Sequence, residues 1–317
     1  ASATTSVAAV LTGLSGSDFL SSADTTAQQT AALLQLATQL KRGERRIDLG
    51  NRVLGLIFTK ASTRTRVSFQ VAMARLGGQT VDLNPQLTQL GRGEPLEDTA
   101  RVLSRFCDVL AIRTFAQQEL ADYAHWASIP VINALTDLEH PCQALADFLT
   151  MQEAFGDLQG QTLAYVGDGN NVAHSLMLCG ALLGVNVRIG CPEGFEPLPG
   201  VVDQARALSV GGAQISVITD PVEAVRGAQA LYTDVWASMG QEQEQAERER
   251  AFQGFCLNED LLAEADSRAI VLHCLPAHRG EEISAGVMEG PSSRIFDQAE
   301  NRLHAQQALL AALLGGL

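Results

Sequence analysis

Short apolar runs alternate with segments of helical apolar spacing along almost the whole chain, and this alternation restricts the fold more than any other feature. Strands are expected at 53–58, 80–83, 109–112 and 131–134, with helices at 63–76, 96–106, 117–126 and 141 to about 154. A second series begins near residue 162. Its strands are expected at 163–166, 187–189, 215–218, 230–233 and 269–273, its helices at 172–183, 201–208 and 222–224, and a last helix at 298–314. A helical crossover returns the chain to the same end of the sheet, so such strands pair in parallel and helices cover both faces. The 317 residues also exceed what one hydrophobic core usually organises. The sequence therefore predicts an α/β protein with two doubly wound parallel-sheet domains, residues 1–150 and 151–297, and an active-site cleft between them. Ligands are expected at the carboxyl ends of the strands. Residues 1 to about 10 read as a loose tail, 26–41 as a further helix, 41–46 as a charged connector and 241–250 as a solvated helix or loop.

Composition removes several function classes. A formal net charge of −14 opposes binding to nucleic acid or to an anionic membrane surface, so an anionic ligand needs a local arginine cluster. No run of about 20 apolar residues is present to span a bilayer. The first ten residues lack the charged and apolar regions of a secretory signal. Six cysteines are scattered without a Cys-x-x-Cys pair, which suits reduced thiols and argues against a disulfide framework or a zinc site. The expected location is cytoplasmic, or an organelle matrix if a targeting peptide has been removed.

The stretch Phe58-Thr59-Lys60-Ala61-Ser62-Thr63-Arg64-Thr65-Arg66 carries the first chemistry. An apolar strand ends at Phe58, and Ser62 and Thr63 open a helix with Val67, Phe69, Val71, Ala72 and Leu76 at helical spacing. A helix start presents unpaired N–H groups and a partial positive charge, so it favours an anion. The hydroxyls and guanidiniums of the first turn add directed donors that match phosphate oxygens. Arg113, at the end of the strand 109–112, offers a further guanidinium.

Four more motifs occur in order: His140-Pro141-Cys142-Gln143, Gly167-Asp168-Gly169-Asn170-Asn171, Asp234 to Ser238-Met239-Gly240, and His273-Cys274-Leu275-Pro276. Pro141 suits a first helical position. Gly167 and Gly169 after a strand invite a dinucleotide-binding reading, but Val172 stands where the third glycine belongs.

Together these motifs resemble, in order and spacing, those of the aspartate/ornithine carbamoyltransferase family, from about Leu11 to the last helix. The resemblance implies binding of carbamoyl phosphate by Ser62, Thr63, Arg64, Thr65, Arg113, His140, Gln143, Cys274, Leu275 and Arg302, with Gln89 reaching a neighbouring subunit's site. It implies that helix 298–317 packs back on the first domain, and that Arg113, His140 and Cys274 act in catalysis. Asn171, Asp234, Ser238 and Met239 are the implied ornithine contacts. The Ser-Met-Gly and His-Cys-Leu-Pro pair resembles the ornithine members and not the aspartate members. The activity implied by the resemblance is transfer of a carbamoyl group from carbamoyl phosphate to the δ-amine of L-ornithine, without metal or organic cofactor. A homotrimer, or a multiple of it, and a place in arginine biosynthesis are implied in the same way. The alternatives are another amine acceptor, a non-catalytic relative and an NAD-dependent oxidoreductase.

Overall fold

A computed structural model describes residues 6–86, 88–238 and 241–317. The chain divides into two compact units, residues 1–146 with 301–317, and residues 147–300.

In the first unit, α1 (Val7–Leu11) and α2 (Ala27–Lys41) precede β1 (Val53–Phe58), α3 (Thr63–Arg75), β2 (Gln79–Leu83), α4 (Leu96–Phe106), β3 (Val109–Arg113), α5 (Gln117–Trp126) and β4 (Val131–Leu135). The four strands are parallel in the order β2-β1-β3-β4. β1, β3 and β4 are almost wholly buried, whereas β2 at the edge is mostly open. This explains why the buried strands read as continuous apolar runs. Ile57, Leu110, Ile112, Leu120, Tyr123 and Val131 pack in one core under α4 and α5.

Residues 6–10 of the expected loose tail need correction, while residues 1–5 lie outside the described residues. Ser6 caps α1 through its side chain, and Leu11 is fully buried. An apolar Val-Ala-Ala-Val-Leu turn has a face to bury, which composition alone does not reveal.

The helix α6 (Pro141–Phe155) carries the chain from one unit into the other. The second unit holds β5 (Thr162–Val166), α7 (Asn171–Leu182), β6 (Asn186–Gly190), α8 (Pro199–Leu208), β7 (Ile215–Ile218), α9 (Pro221–Val225), β8 (Ala230–Thr233), α10 (Gln245–Ala251), α11 (Glu259–Glu264), β9 (Ile270–His273) and α12 (Ala285–Met288). Its strands are parallel in the order β7-β6-β5-β8-β9. The helix α13 (Ile295–Leu313) returns the chain to the first unit.

The run 241–250 is also not simply solvated. Arg248, within α10, is 7% exposed and stacks its guanidinium 5.1 Å from the centre of the Phe195 ring. Phe195 in turn packs against Phe252 in the core of this unit. Charge patterning marks such a segment as polar, but a buried guanidinium with dedicated partners is a tertiary feature.

Candidate active site

Each sheet reverses its winding direction once, and the carboxyl ends of the strands flanking the reversal are where open α/β sheets hold ligands. In the first unit those strands are β1 and β3, which pair Phe58 with Arg113. In the second they are β5 and β8, which pair Val166 with Thr233.

Past β1, Ser62 caps α3 and accepts the Thr65 N–H at 3.2 Å. Thr63 and Arg64 are exposed on that first turn. Arg66 does not join them, since its guanidinium pairs with Asp82 and stacks on Phe58 at 4.9 Å. Thr65 is buried and is the hub. Arg302 donates from Nη2 to its Oγ1 at 3.0 Å, and Arg113 from Nη1 at 3.4 Å. A hydroxyl has two acceptor lone pairs and one donor, so two incoming guanidinium N–H groups leave its proton to be donated onward.

Arg302 is held on its other edges. It donates to Gln143 Oε1 at 2.7 Å and to Gln306 Oε1 at 2.9 Å, and Gln306 Nε2 donates to Ser68 Oγ at 2.9 Å. These three acceptors of Arg302 are neutral oxygens, which orient the guanidinium. His140, 6% exposed just before α6, has its pKa held well below the histidine range. Burial is the main cause, followed by the charges of Arg302, Arg113, Lys60 and Arg64. His140 is therefore a neutral imidazole at pH 7. The structure thus gathers Ser62, Thr65, Arg113, His140, Gln143 and Arg302 in one unit, with Thr63 and Arg64 on the adjoining turn. Gln89 lies instead at a cavity of about 140 Å³, lined also by Leu83, Thr88, Glu94 and Thr99.

The second unit holds an acceptor-rich group. Past β5, Asn170 caps α7, its Oδ1 accepting the N–H groups of Val172 at 3.1 Å and Ala173 at 3.2 Å. Its Nδ2 donates to Asp234 Oδ2 at 2.9 Å, past the end of β8. The other Asp234 oxygen accepts from Cys274 Sγ at 3.1 Å. Burial, then the neighbouring Asp234, pushes the Cys274 thiol well above its ordinary range, so it is a protonated donor and not a thiolate. Asn171 begins α7, and Ser238 is half-buried with its N–H on Gln241 Oε1 at 3.0 Å. Met239 lies outside the described residues.

Leu275 has φ of +64°, a left-handed conformation that a branched side chain adopts at a cost. Its N–H is fixed by His273 Nδ1 at 2.8 Å, and His273 Nε2 meets Glu282 Oε1 at 2.9 Å. Accepting at Nδ1 leaves the ring proton on Nε2, so His273 donates to Glu282. Arg248 donates to Asp168 at 2.9 Å and to the Trp236 carbonyl at 2.7 Å. It thereby ties the segment after β8 to the turn after β5. Burial lifts the Asp168 pKa from 3.8 to about 6, against the opposing pull of Arg248.

Gly169 serves close backbone approach. A Cβ there would enter the backbone of Phe195 to Pro197. The glycine pattern of this turn thus has a packing cause.

Two groups of side chains have metal-ligating composition among the described residues: Asp234, His273 and Cys274, and His278, Glu281 and Glu282. The first has both imidazole nitrogens of His273 already hydrogen-bonded and its thiol protonated.

Lys60, Asp168, Asn170, Arg248, Glu282 and Gln306 also shape these sites, although the sequence motifs assign them no role. Only Asn170 had a local signal, as a cap-forming residue directly before a helix.

The chain matches two family models of the aspartate/ornithine carbamoyltransferases, the carbamoyl-P binding domain over residues 17–153 and the Asp/Orn binding domain over residues 159–313. It is 85% identical to an ornithine carbamoyltransferase of Prochlorococcus marinus (strain MIT 9313) over 311 residues, 98% of each chain. It is 81% identical over the full length of both chains to one from Parasynechococcus marenigrum (strain WH8102). Among solved structures, it resembles ornithine carbamoyltransferase from Pyrococcus furiosus with a TM-score of 0.92 and 48% identity, covering 96% of this chain and 99% of that one.

Proposed function

The chain belongs to the aspartate/ornithine carbamoyltransferase family, and we propose that its two half-sites divide the reaction of an ornithine carbamoyltransferase between them. The reaction is transfer of the carbamoyl group of carbamoyl phosphate to the δ-amine of L-ornithine, giving L-citrulline and phosphate.

The first unit holds carbamoyl phosphate. The observation that carries this is the meeting of Arg302 and Arg113 on the buried Thr65 hydroxyl at the start of α3. The phosphate lies on the Ser62–Thr65 turn, whose N–H groups, helix dipole and Arg64 side chain favour an anion. Arg113, the Thr65 hydroxyl and His140 direct donors at the carbamoyl oxygen, where negative charge develops as the carbon becomes tetrahedral. A neutral His140 suits that task, because it donates a hydrogen bond without adding another cation beside Arg302, Arg113, Arg64 and Lys60. Gln143 and Arg302 hold the remaining edge of the donor.

The second unit holds ornithine. Asn171, Asp234, Ser238 and the Met239 backbone hold its amino-acid end. Cys274 and Leu275 line the path of the δ-amine, and the thiol fixes the Asp234 carboxylate. The neutral δ-amine attacks the carbonyl carbon, the bond from that carbon to the phosphate oxygen breaks, and the departing phosphate takes the amine proton. No step calls for a metal or an organic cofactor.

The chain acts in arginine biosynthesis in the cytoplasm and assembles as a homotrimer in which Gln89 serves a neighbouring subunit. Exposed Val67, Val102, Phe106 and Trp126 on the first unit supply apolar surface for such contacts.

The deciding experiment is a citrulline assay on pure protein with carbamoyl phosphate, offering ornithine, aspartate, acetylornithine and putrescine in parallel. Carbamoylation of ornithine alone supports the whole reading. Use of a different amine would leave the carbamoyl phosphate half standing and remove the ornithine half. Absence of turnover would point to a non-catalytic relative.

A further inference from the structure

Glu282 is fully buried, and its two carboxylate oxygens are treated unequally. Oε1 accepts from His273 Nε2 at 2.9 Å and from the His278 N–H at 2.7 Å. Oε2 is shielded from solvent and has no hydrogen-bond donor among the described residues. A buried carboxylate oxygen without a donor is costly, because the water it gave up is not replaced. What this oxygen faces is the ring of His278, whose Nδ1 lies 3.7 Å away. Glu281 Oε2 lies 3.6 Å from the same nitrogen. All three ligand atoms fall within 4.8 Å of one another.

These separations are too long for hydrogen bonds. They suit an ion seated among them. A tetrahedral zinc with bonds of about 2.0–2.1 Å sets its ligand atoms roughly 3.4 Å apart. The two nitrogen–oxygen spacings need only a few tenths of an ångström to close. Glu281, with a side chain 38% exposed, can swing in to close the third. One imidazole nitrogen and two carboxylate oxygens form a donor set that zinc accepts, with solvent in the fourth place.

We propose that His278, Glu281 and Glu282 form a binding site for one divalent cation of the zinc class. The other group of suitable composition, around Cys274, is disfavoured because both His273 nitrogens are engaged there. The ion would act as a staple on the turn after β9. Arg279 and Ile283 already form a β-bridge there, and Ile283 forms another with Leu257. Because Oε1 of Glu282 continues to accept from His273, the ion would also fix the partner that orients the Cys274–Leu275 backbone. Its role is structural, and the carbamoyl transfer does not pass through it.

Zinc titration of the metal-stripped full chain by calorimetry tests the site, with the variants His278→Ala, Glu281→Gln and Cys274→Ser. The expected result is one zinc per chain. Binding should weaken by about tenfold or more in His278→Ala and Glu281→Gln, since loss of even an outer partner of a metal ligand costs that much. Cys274→Ser should bind as the parent does. A second measurement needs no variant: the cobalt-loaded parent should show no thiolate-to-cobalt charge-transfer band. No zinc binding by the parent, unchanged binding in His278→Ala, or a thiolate band with cobalt would each overturn the proposal. The last result would move the ion to a cysteine, and the first would leave the three side chains without an ion.

Discussion

Arg302 and Thr65, 237 positions apart in the chain, are joined by a 3.0 Å hydrogen bond from Nη2 to Oγ1. The bond brings α13 to the start of α3, and Gln306 repeats the connection one turn later by donating to Ser68 Oγ. A residue near the end of the sequence thus completes a site opened near its beginning.

Arg302→Ala should weaken carbamoyl phosphate binding by about 1.5–3 kcal/mol, roughly 10- to 150-fold in Kd, as for loss of a hydrogen bond to a charged group. Calorimetry without ornithine is the check. An unchanged Kd would show that the anion sits away from Thr65.

His140 gives a stability prediction whose sign is set by its depressed pKa. The unfolded chain takes up the proton first, near the ordinary value of about 6.5. The contribution of His140 to stability is therefore full above that value and declines as pH falls below it towards the depressed folded pKa. Urea midpoints at pH 7 and pH 5 should fall further for the parent than for His140→Gln. Equal losses would show that the imidazole is not held neutral.

The Cys274 thiol is pushed well above its usual range and donates to Asp234. It should contribute no limb to the pH profile between 7 and 9. The ornithine δ-amine, with an ordinary pKa of about 10.4, should make kcat/KM rise across that interval. Cys274→Ser keeps a donor and should preserve the shape of the rise. A profile that flattens in this variant would assign the titration to the thiol.

Ionised Asp168 pairs with Arg248, which anchors the segment just after Asp234. With its pKa raised to about 6, Asp168 takes up a proton as pH falls through that value, and the pair is lost. Affinity for L-norvaline, which lacks the δ-amine, should fall over the same interval, and Asp168→Asn should bind weakly without the inflection. Because the folded pKa lies above the unfolded one, this residue's own linkage favours the folded state as pH falls from about 6 towards 3.8. A thermal melt at each pH separates lost affinity from unfolding.

Gly169→Ala should destabilise the protein by about 1–3 kcal/mol, the usual cost of overpacking. The added methyl would enter the backbone from Phe195 to Pro197 and displace the turn bearing Asn170 and Asn171. Chemical denaturation gives the stability change, and norvaline calorimetry the accompanying loss of affinity. A variant as stable as the parent would mean that the turn yields freely.

The sequence by itself determined the secondary elements that stand on local pattern. β1 and β7 begin and end at the residues read from their apolar runs, and so do α4 and α5 from their spacing. These signals are local: side-chain period, caps and breakers lie within a few residues of each other. The Ser62–Thr65 turn was legible for the same reason, since a strand end, a cap and a basic first turn are contiguous. The burial of Arg248 was not. Its polar neighbours on α10 suggest solvent, and its partners Asp168 and Phe195 lie 80 and 53 positions earlier. The unequal oxygens of Glu282 and the two guanidiniums on Thr65 belong to the same class. Charge, burial and hydrogen-bond saturation are properties of a three-dimensional neighbourhood. Tertiary structure alone decided which cations stay oriented towards an anion, which are consumed by carboxylates as Arg66 is by Asp82, and which titratable groups lose their water.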